Sequence, residues 1–119
     1  MRYMCLIKHE ESQRSLSFPP GFMDAMNTFV GEALKNGTIT DTAGLKGTAD
    51  ASRIAVGKGK LTVTDGPFAE SKEVVGGYAI VEAATREEAM AFVTKFMDMH
   101  RIYFPEFEGE CELRPLEEM

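Results

Sequence analysis

The run Tyr3-Met4-Cys5-Leu6-Ile7 is apolar at every position. A strand with one face in water alternates apolar and polar residues, so a strand without alternation has to be covered on both faces. Whatever sheet this segment joins therefore needs helices on one side and a second cover on the other. The helices are readable. Phe22, Met26, Phe29, Val30, Ala33 and Leu34 recur at helical spacing behind Pro20, which suits a first turn, and Asn36-Gly37 supplies a left-handed end. Thr85-Arg86-Glu87-Glu88 is a capping box, and Ala89, Phe92, Val93, Phe96 and Met97 continue it as an apolar stripe.

Between the helices the period changes. Residues 38–45 are rich in β-branched side chains and read as a strand. Residues 51–56 and 60–64 read as a hairpin across Gly57-Lys58-Gly59, residues 77–83 as a further strand, and residues 110–116 as the last. Residues 9–19 and 102–109 read as loops. The order is β-α-β-(β-β)-α-β, two β-α-β halves whose strands merge into one antiparallel sheet with both helices on one face, the ferredoxin-like arrangement of the α+β class. No linker-like stretch divides residues 1–119, which read as one domain. Such a sheet has a bare face, yet the first strand is apolar on both. A second copy, sheet against sheet, is the simplest cover, so a homodimer is expected.

With 44% hydrophobic and 27% charged residues, 119 residues suffice for one core. No apolar run approaches the ~20 residues of a membrane span, and the N-terminal run is shorter than a signal-peptide core, so a cytoplasmic protein with no membrane partner is expected. Cys5 and Cys111 have neither CxxC spacing nor clustered histidines. They read as free, buried thiols in a reducing compartment, with no metal site. Net charge is −6, of which −5 falls in residues 106–119. No basic stripe for nucleic acid is present. Gly57-Lys58-Gly59-Lys60 lacks the spacing of a phosphate loop, and no motif asks for a cofactor.

Asp65-Gly66-Pro67-Phe68 is a turn with a mechanism: glycine tolerates positive φ, proline fixes φ and lacks an N–H, and aspartate bonds the backbone ahead of it. The longer string Val63-Thr64-Asp65-Gly66-Pro67-Phe68-Ala69-Glu70-Ser71-Lys72-Glu73, followed by Gly76-Gly77-Tyr78, resembles the signature of the DGPF group of YCII-related proteins. The opening Arg2–Ile7 is similar to that family's first strand, and residues 107–116 look like the ending of a subset with a longer last connection. The resemblance covers most of the chain. It implies a dimeric α+β barrel with a cleft in each protomer between sheet and helices. Genes of the family often stand beside extracytoplasmic-function sigma factors, which implies a regulatory setting and a transcription regulator as partner. Some YCII relatives use a His–Asp pair; the first-helix region where they carry the histidine has none here.

The residues themselves leave alternatives open. Asp65 is either a general base aimed into a cleft or an acceptor for its own turn. Glu70 and Lys72, on the same loop, either hold a ligand or form surface ion pairs. Gly76 and Gly77 turn the backbone sharply or let a ligand approach it. Tyr78 either presents its hydroxyl to the cleft or fills a strand position. His100, beside Arg101, is a protonated helix cap or a ligand contact. His9 is an exposed loop residue or a pocket residue, and beside Asp65 it would complete a proton-transfer pair. Two functions compete. One is a protein whose cleft binds an apolar or weakly acidic small molecule. The other is a cofactor-free acid–base enzyme of isomerase or lyase type, with Asp65 as base and His9 beside it. A third reading, partner of a transcription regulator, rests on the family's gene neighbourhood alone.

Overall fold

The computed structural model describes residues 1–118. Its elements are β1 (Arg2–His9), α1 (Phe22–Lys35), β2 (Ile39–Gly44), β3 (Ser52–Gly57), β4 (Lys60–Asp65), β5 (Val74–Glu82), α2 (Arg86–Tyr103) and β6 (Glu110–Pro115), with short 3-10 turns at Glu11–Ser15 and Thr48–Asp50. Four strands form an antiparallel sheet in the order β2-β5-β1-β6, and β3 and β4 form a separate two-stranded ribbon. The fold is therefore mixed α+β, with a hairpin inserted in a β-α-β-β-α-β path. No helix among the described residues is long and apolar enough to cross a membrane.

Local chemistry explains the boundaries. Thr85 Oγ1 accepts from the Glu88 backbone N–H at 3.1 Å, and the Glu88 carboxylate accepts from the Ala84 N–H, which together start α2. Helix α1 stops at Asn36, whose side chain accepts from both the N–H and the hydroxyl of Thr38, and Gly37 follows at φ 84°. The ribbon turns through Lys58 and Gly59, both at positive φ, as a two-residue hairpin matched to strand twist requires.

Tyr3, Cys5 and His9 on β1 are buried together with Val81 on β5 and Ile39 on β2, facing Phe22 and Ala33 of α1 and Ala89 and Val93 of α2. Phe29 and Phe92 stack across the two helices at 5.0 Å. Leu34, assigned to the α1 apolar stripe by spacing, is 47% exposed, because α2 and the sheet reach only the side of α1 that carries Phe22 and Ala33. Met4, Leu6, Tyr78 and Ile80 lie on the other face of the sheet, as their cross-strand pairing dictates.

Three expectations are corrected. Strand β1 does not end at Ile7. It continues through Lys8 and His9, which pair with Val75 and Val74, and His9 is only 9% exposed rather than a loop residue. Helix α2 takes in Ile102 and Tyr103, its last turn tied by the Phe104 N–H to the His100 carbonyl. The cysteines are not free thiols: β6 lies against β1, the Cα atoms of Cys5 and Cys111 are 6.1 Å apart, and the two sulfurs are joined as a disulfide.

Candidate functional site

Between the sheet and the two helices lies a cavity of about 380 Å³. Its sheet wall includes Cys5, Ile7 and Val81, and its helix wall includes Met26, Val30 and Phe96. Phe18, 61% exposed, sits near its edge against Phe22 and Phe104. No Lys, Arg, Asp or Glu side chain among the described residues lines it. Tyr78 borders it from the sheet but turns its phenol to the other face, so the ionisable side-chain groups on the wall are the imidazoles of His9 and His100.

His9 reaches the cavity because alternation along β1 carries the face of Cys5 and Ile7 on to residue 9. A bulge opposite Ile7 and Lys8 leaves Gly76 as an extra residue of β5. The His9 ring occupies the space this glycine leaves: a Cβ on Gly76 would lie 2.7 Å from His9 Cδ2 and closer still to Nε2. His9 Nδ1 is 2.7 Å from the Glu10 carbonyl oxygen. Since a carbonyl only accepts, Nδ1 carries the proton.

His100 follows Phe92 and Phe96 on the same stripe of α2. Its ring meets Phe22 at 5.2 Å, Phe96 at 5.0 Å and Phe107 at 5.2 Å, and Nδ1 donates to the Phe96 carbonyl at 3.1 Å. Burial among these rings lowers the His100 pKa from its ordinary value, which favours neutral imidazole. A protonated, solvated helix cap does not describe this residue. Phe107 also meets the His9 ring edge-on at 6.0 Å, so one phenyl ring separates the two imidazoles. Among the described residues neither Nε2 has a hydrogen-bond partner, and neither atom is fully buried.

The DGPF segment does different work. The Asp65 carboxylate accepts from the Ser52 hydroxyl at 2.7 Å across the base of the ribbon and lines no cavity shared with His9. Gly66 sits under the Thr48–Asp50 turn, its N–H on the Ala51 carbonyl at 2.8 Å, where any Cβ would run into the Thr48 carbonyl. The Arg53 guanidinium lies 3.7 Å over the Phe68 ring, pairs with Glu70 and donates to Ser71. That hydrogen bond from Arg53 holds the Glu70 carboxyl below its ordinary pKa. Lys72 borders a shallow polar depression with His9, Gln13 and Glu108. The Tyr78 phenol, on the open face of the sheet, donates to Asp41 at 2.9 Å, which raises its pKa.

The structure thus brings His9 and His100 together around one cavity and leaves Asp65, Glu70 and Lys72 outside its lining. Both histidines carried a usable signal: His9 continues a period of two from Cys5, and His100 a period of four from Phe92. Phe104 is one more step of that period of four, at the end of a helix longer than the sequence suggests, whereas Phe107, beyond Pro105, had no periodic signal.

The sequence profile of the YCII-related domain matches residues 1–96. An uncharacterized protein of Rhizobium meliloti (strain 1021) is 31% identical over 80 residues, which make up 67% of this chain and 60% of that relative. The chain thus aligns with about 60% of the length of that curated relative. The profile match takes in β1 to β5 and most of α2, and it ends before His100, Phe104 and Phe107. On that match, which takes in both helix starts, His9 and the whole Asp65–Glu73 segment, the chain belongs to the YCII-related domain family.

Proposed function

We propose that this protein binds a small, largely apolar molecule in the cavity between its sheet and helices. The observation that carries this reading is the cavity itself: about 380 Å³, walled by aliphatic and aromatic side chains, with two imidazoles as its titratable polar groups on the wall. Ligand sites typically have this size and this ratio of apolar wall to few polar groups. The test is titration with an environment-sensitive apolar dye, repeated on Val30→Trp, which fills the space. Saturable binding that Val30→Trp abolishes without loss of fold supports the reading. Equal dye binding by both proteins would place the dye elsewhere.

A second reading places acid–base chemistry in the same cavity. The unpartnered Nε2 atoms favour His9 and His100 as its proton-handling groups over Asp65, whose carboxylate is engaged by Ser52.

We also propose the ferredoxin-like dimeric barrel. Ile54, Val56, Leu61 and Val63 share one face of the β3–β4 ribbon and are 73%, 79%, 72% and 66% exposed. Four large apolar side chains in register on a projecting ribbon are a contiguous patch of the kind that marks an interface. The open sheet face, where Met4, Leu6 and Ile80 are half-buried, is the second apolar surface that a partner copy would cover. A second copy that covers both satisfies the doubly apolar first strand. Sedimentation at micromolar concentration should report about twice the 13.2 kDa chain mass, and a monomer would remove the barrel from consideration.

A further inference from the structure

We infer that the cavity selects an uncharged aromatic molecule bearing a hydroxyl group, and discriminates against carboxylates of the same shape. This rests on the reading that the cavity is the binding site, and it goes on to name the chemistry of the ligand. The first support is tautomeric. His9 Nδ1 faces the Glu10 carbonyl at 2.7 Å and His100 Nδ1 faces the Phe96 carbonyl at 3.1 Å, so both rings spend their N–H on the backbone. In the neutral ring the remaining Nε2 is an acceptor only. A ligand that satisfies it must donate, as a hydroxyl does and a carboxylate cannot.

The second support is electrostatic. A carboxylate taken from water into this space would meet no lysine or arginine on the wall, and burying an unpaired charge is costly. Protonating an imidazole to receive it is opposed at His100 by the ring's burial among three phenyl groups. The third support is shape. Phe22, Phe96, Phe104 and Phe107 present edges and faces around His100 at centroid distances of 5.0–5.7 Å from one another or from its ring. A ligand ring extends that edge-to-face set. An apolar cavity of about 150 Å³ holds one benzene ring, so about 380 Å³ has room for one or two.

The Cys5–Cys111 disulfide adds no cation or strong acceptor to this wall, and the glutamates near Lys8 do not line it. The DGPF segment is absorbed by the base of the ribbon. The Thr42 hydroxyl on the wall spends its proton on the Tyr78 carbonyl at 2.8 Å, so selection falls chiefly to the two histidines, one inside and one outside the stretch that the family profile matches.

The experiment measures the affinities of toluene, 4-methylphenol and 4-methylbenzoate by calorimetry at pH 8, on the native chain, His100→Phe and His9→Ala. One hydrogen bond predicts 4-methylphenol roughly tenfold tighter than toluene, with 4-methylbenzoate the weakest. One of the two variants, His100→Phe or His9→Ala, whichever removes the accepting Nε2, should bring 4-methylphenol down to the level of toluene while toluene itself still binds, and an unchanged preference in both variants would overturn selection by the imidazoles. Imidazole ¹⁵N spectra give an independent readout: protonated Nδ1 at both rings, and an Nε2 resonance that moves when the phenol is added. If toluene and the phenol bind equally, or the carboxylate binds best, selection by the imidazoles is overturned and the cavity remains. If none of the three binds, the cavity reading itself fails.

Discussion

Gly76→Ala tests whether the bulge on β5 exists to house His9. The glycine is not at positive φ, so its backbone accepts alanine. On conformational grounds the change should stabilise slightly, by ~0.4–1 kcal/mol. The new Cβ, however, would stand 2.7 Å from Cδ2 of the His9 ring, about 1 Å inside van der Waals contact. The ring has little room to give. It is 9% exposed, held by Glu10 through Nδ1 and flanked by Phe107. Overpacking of this kind costs about 1–3 kcal/mol, and loss of the Nδ1 hydrogen bond adds roughly 1 kcal/mol. The net destabilisation is about 2 kcal/mol, or a melting temperature lower by roughly 8 °C for a domain of this size. A double-mutant cycle isolates the cause. In a His9→Ala background the added methyl meets empty space, so Gly76→Ala should become neutral or stabilising. An equal cost in both backgrounds, or none in either, would refute the argument that Gly76 makes room for the imidazole.

Further outcomes follow from other parts of the molecule. Leu61→Lys with Val63→Lys, on the exposed ribbon face, should shift sedimentation from dimer to monomer; dimers that persist would exclude the ribbon from the interface. The His100 pKa is lowered in the folded chain, so the unfolded state binds more protons between the folded value and ~6.5. Stability should therefore be full above that upper limit and decline as pH falls towards the folded pKa, and His100→Phe should flatten this part of the profile measured by chemical denaturation. Denatured without reductant, the chain should show no titratable thiol; with the 106-residue separation of Cys5 and Cys111, reduction should cost ~3–5 kcal/mol of stability. Two reactive thiols in unreduced protein would refute the link. Asp65→Asn should retain ligand binding and cost at most ~1 kcal/mol, because it changes only the Ser52 contact at the ribbon base; loss of binding would return Asp65 to the site.

The parts of this fold that were legible in the sequence are those set by local chemistry. The Thr85 capping box, the Asn36-Gly37 stop and the Gly57-Lys58-Gly59 turn act within a few residues, and each stands where its chemistry puts it. The ends of β1 and α2 were not legible in the same way. His9 and Lys8 are in β1 because Val74, Val75 and Glu110 are there to pair with them, and those partners lie far along the chain. The disulfide is a different case: pairing of the last strand with the first brings the two Cα atoms to 6.1 Å, but whether two neighbouring thiols bond is not written in residue spacing. The turn chemistry of Asp65 is local and conspicuous in the sequence, whereas its partner, Ser52, is set by ribbon register.

The Asp65–Glu70 segment and the groups that equip the cavity are separate pieces of chemistry. Asp65, Gly66, Phe68 and Glu70 are each engaged at the ribbon base, by Ser52, by the Thr48–Asp50 turn, and by Arg53 in the case of both Phe68 and Glu70. That segment fixes where the ribbon leaves the sheet, and so where the apolar face of Ile54, Val56, Leu61 and Val63 is presented. The cavity takes His9 from the matched region and His100, Phe104 and Phe107 from beyond it. Two chains sharing the first segment can therefore share a ribbon and differ in what their cavities hold. What residues 100–107 contribute is an aromatic wall around His100, so on the proposed reading the cavity's selectivity is set there more than by the turn at 65–68.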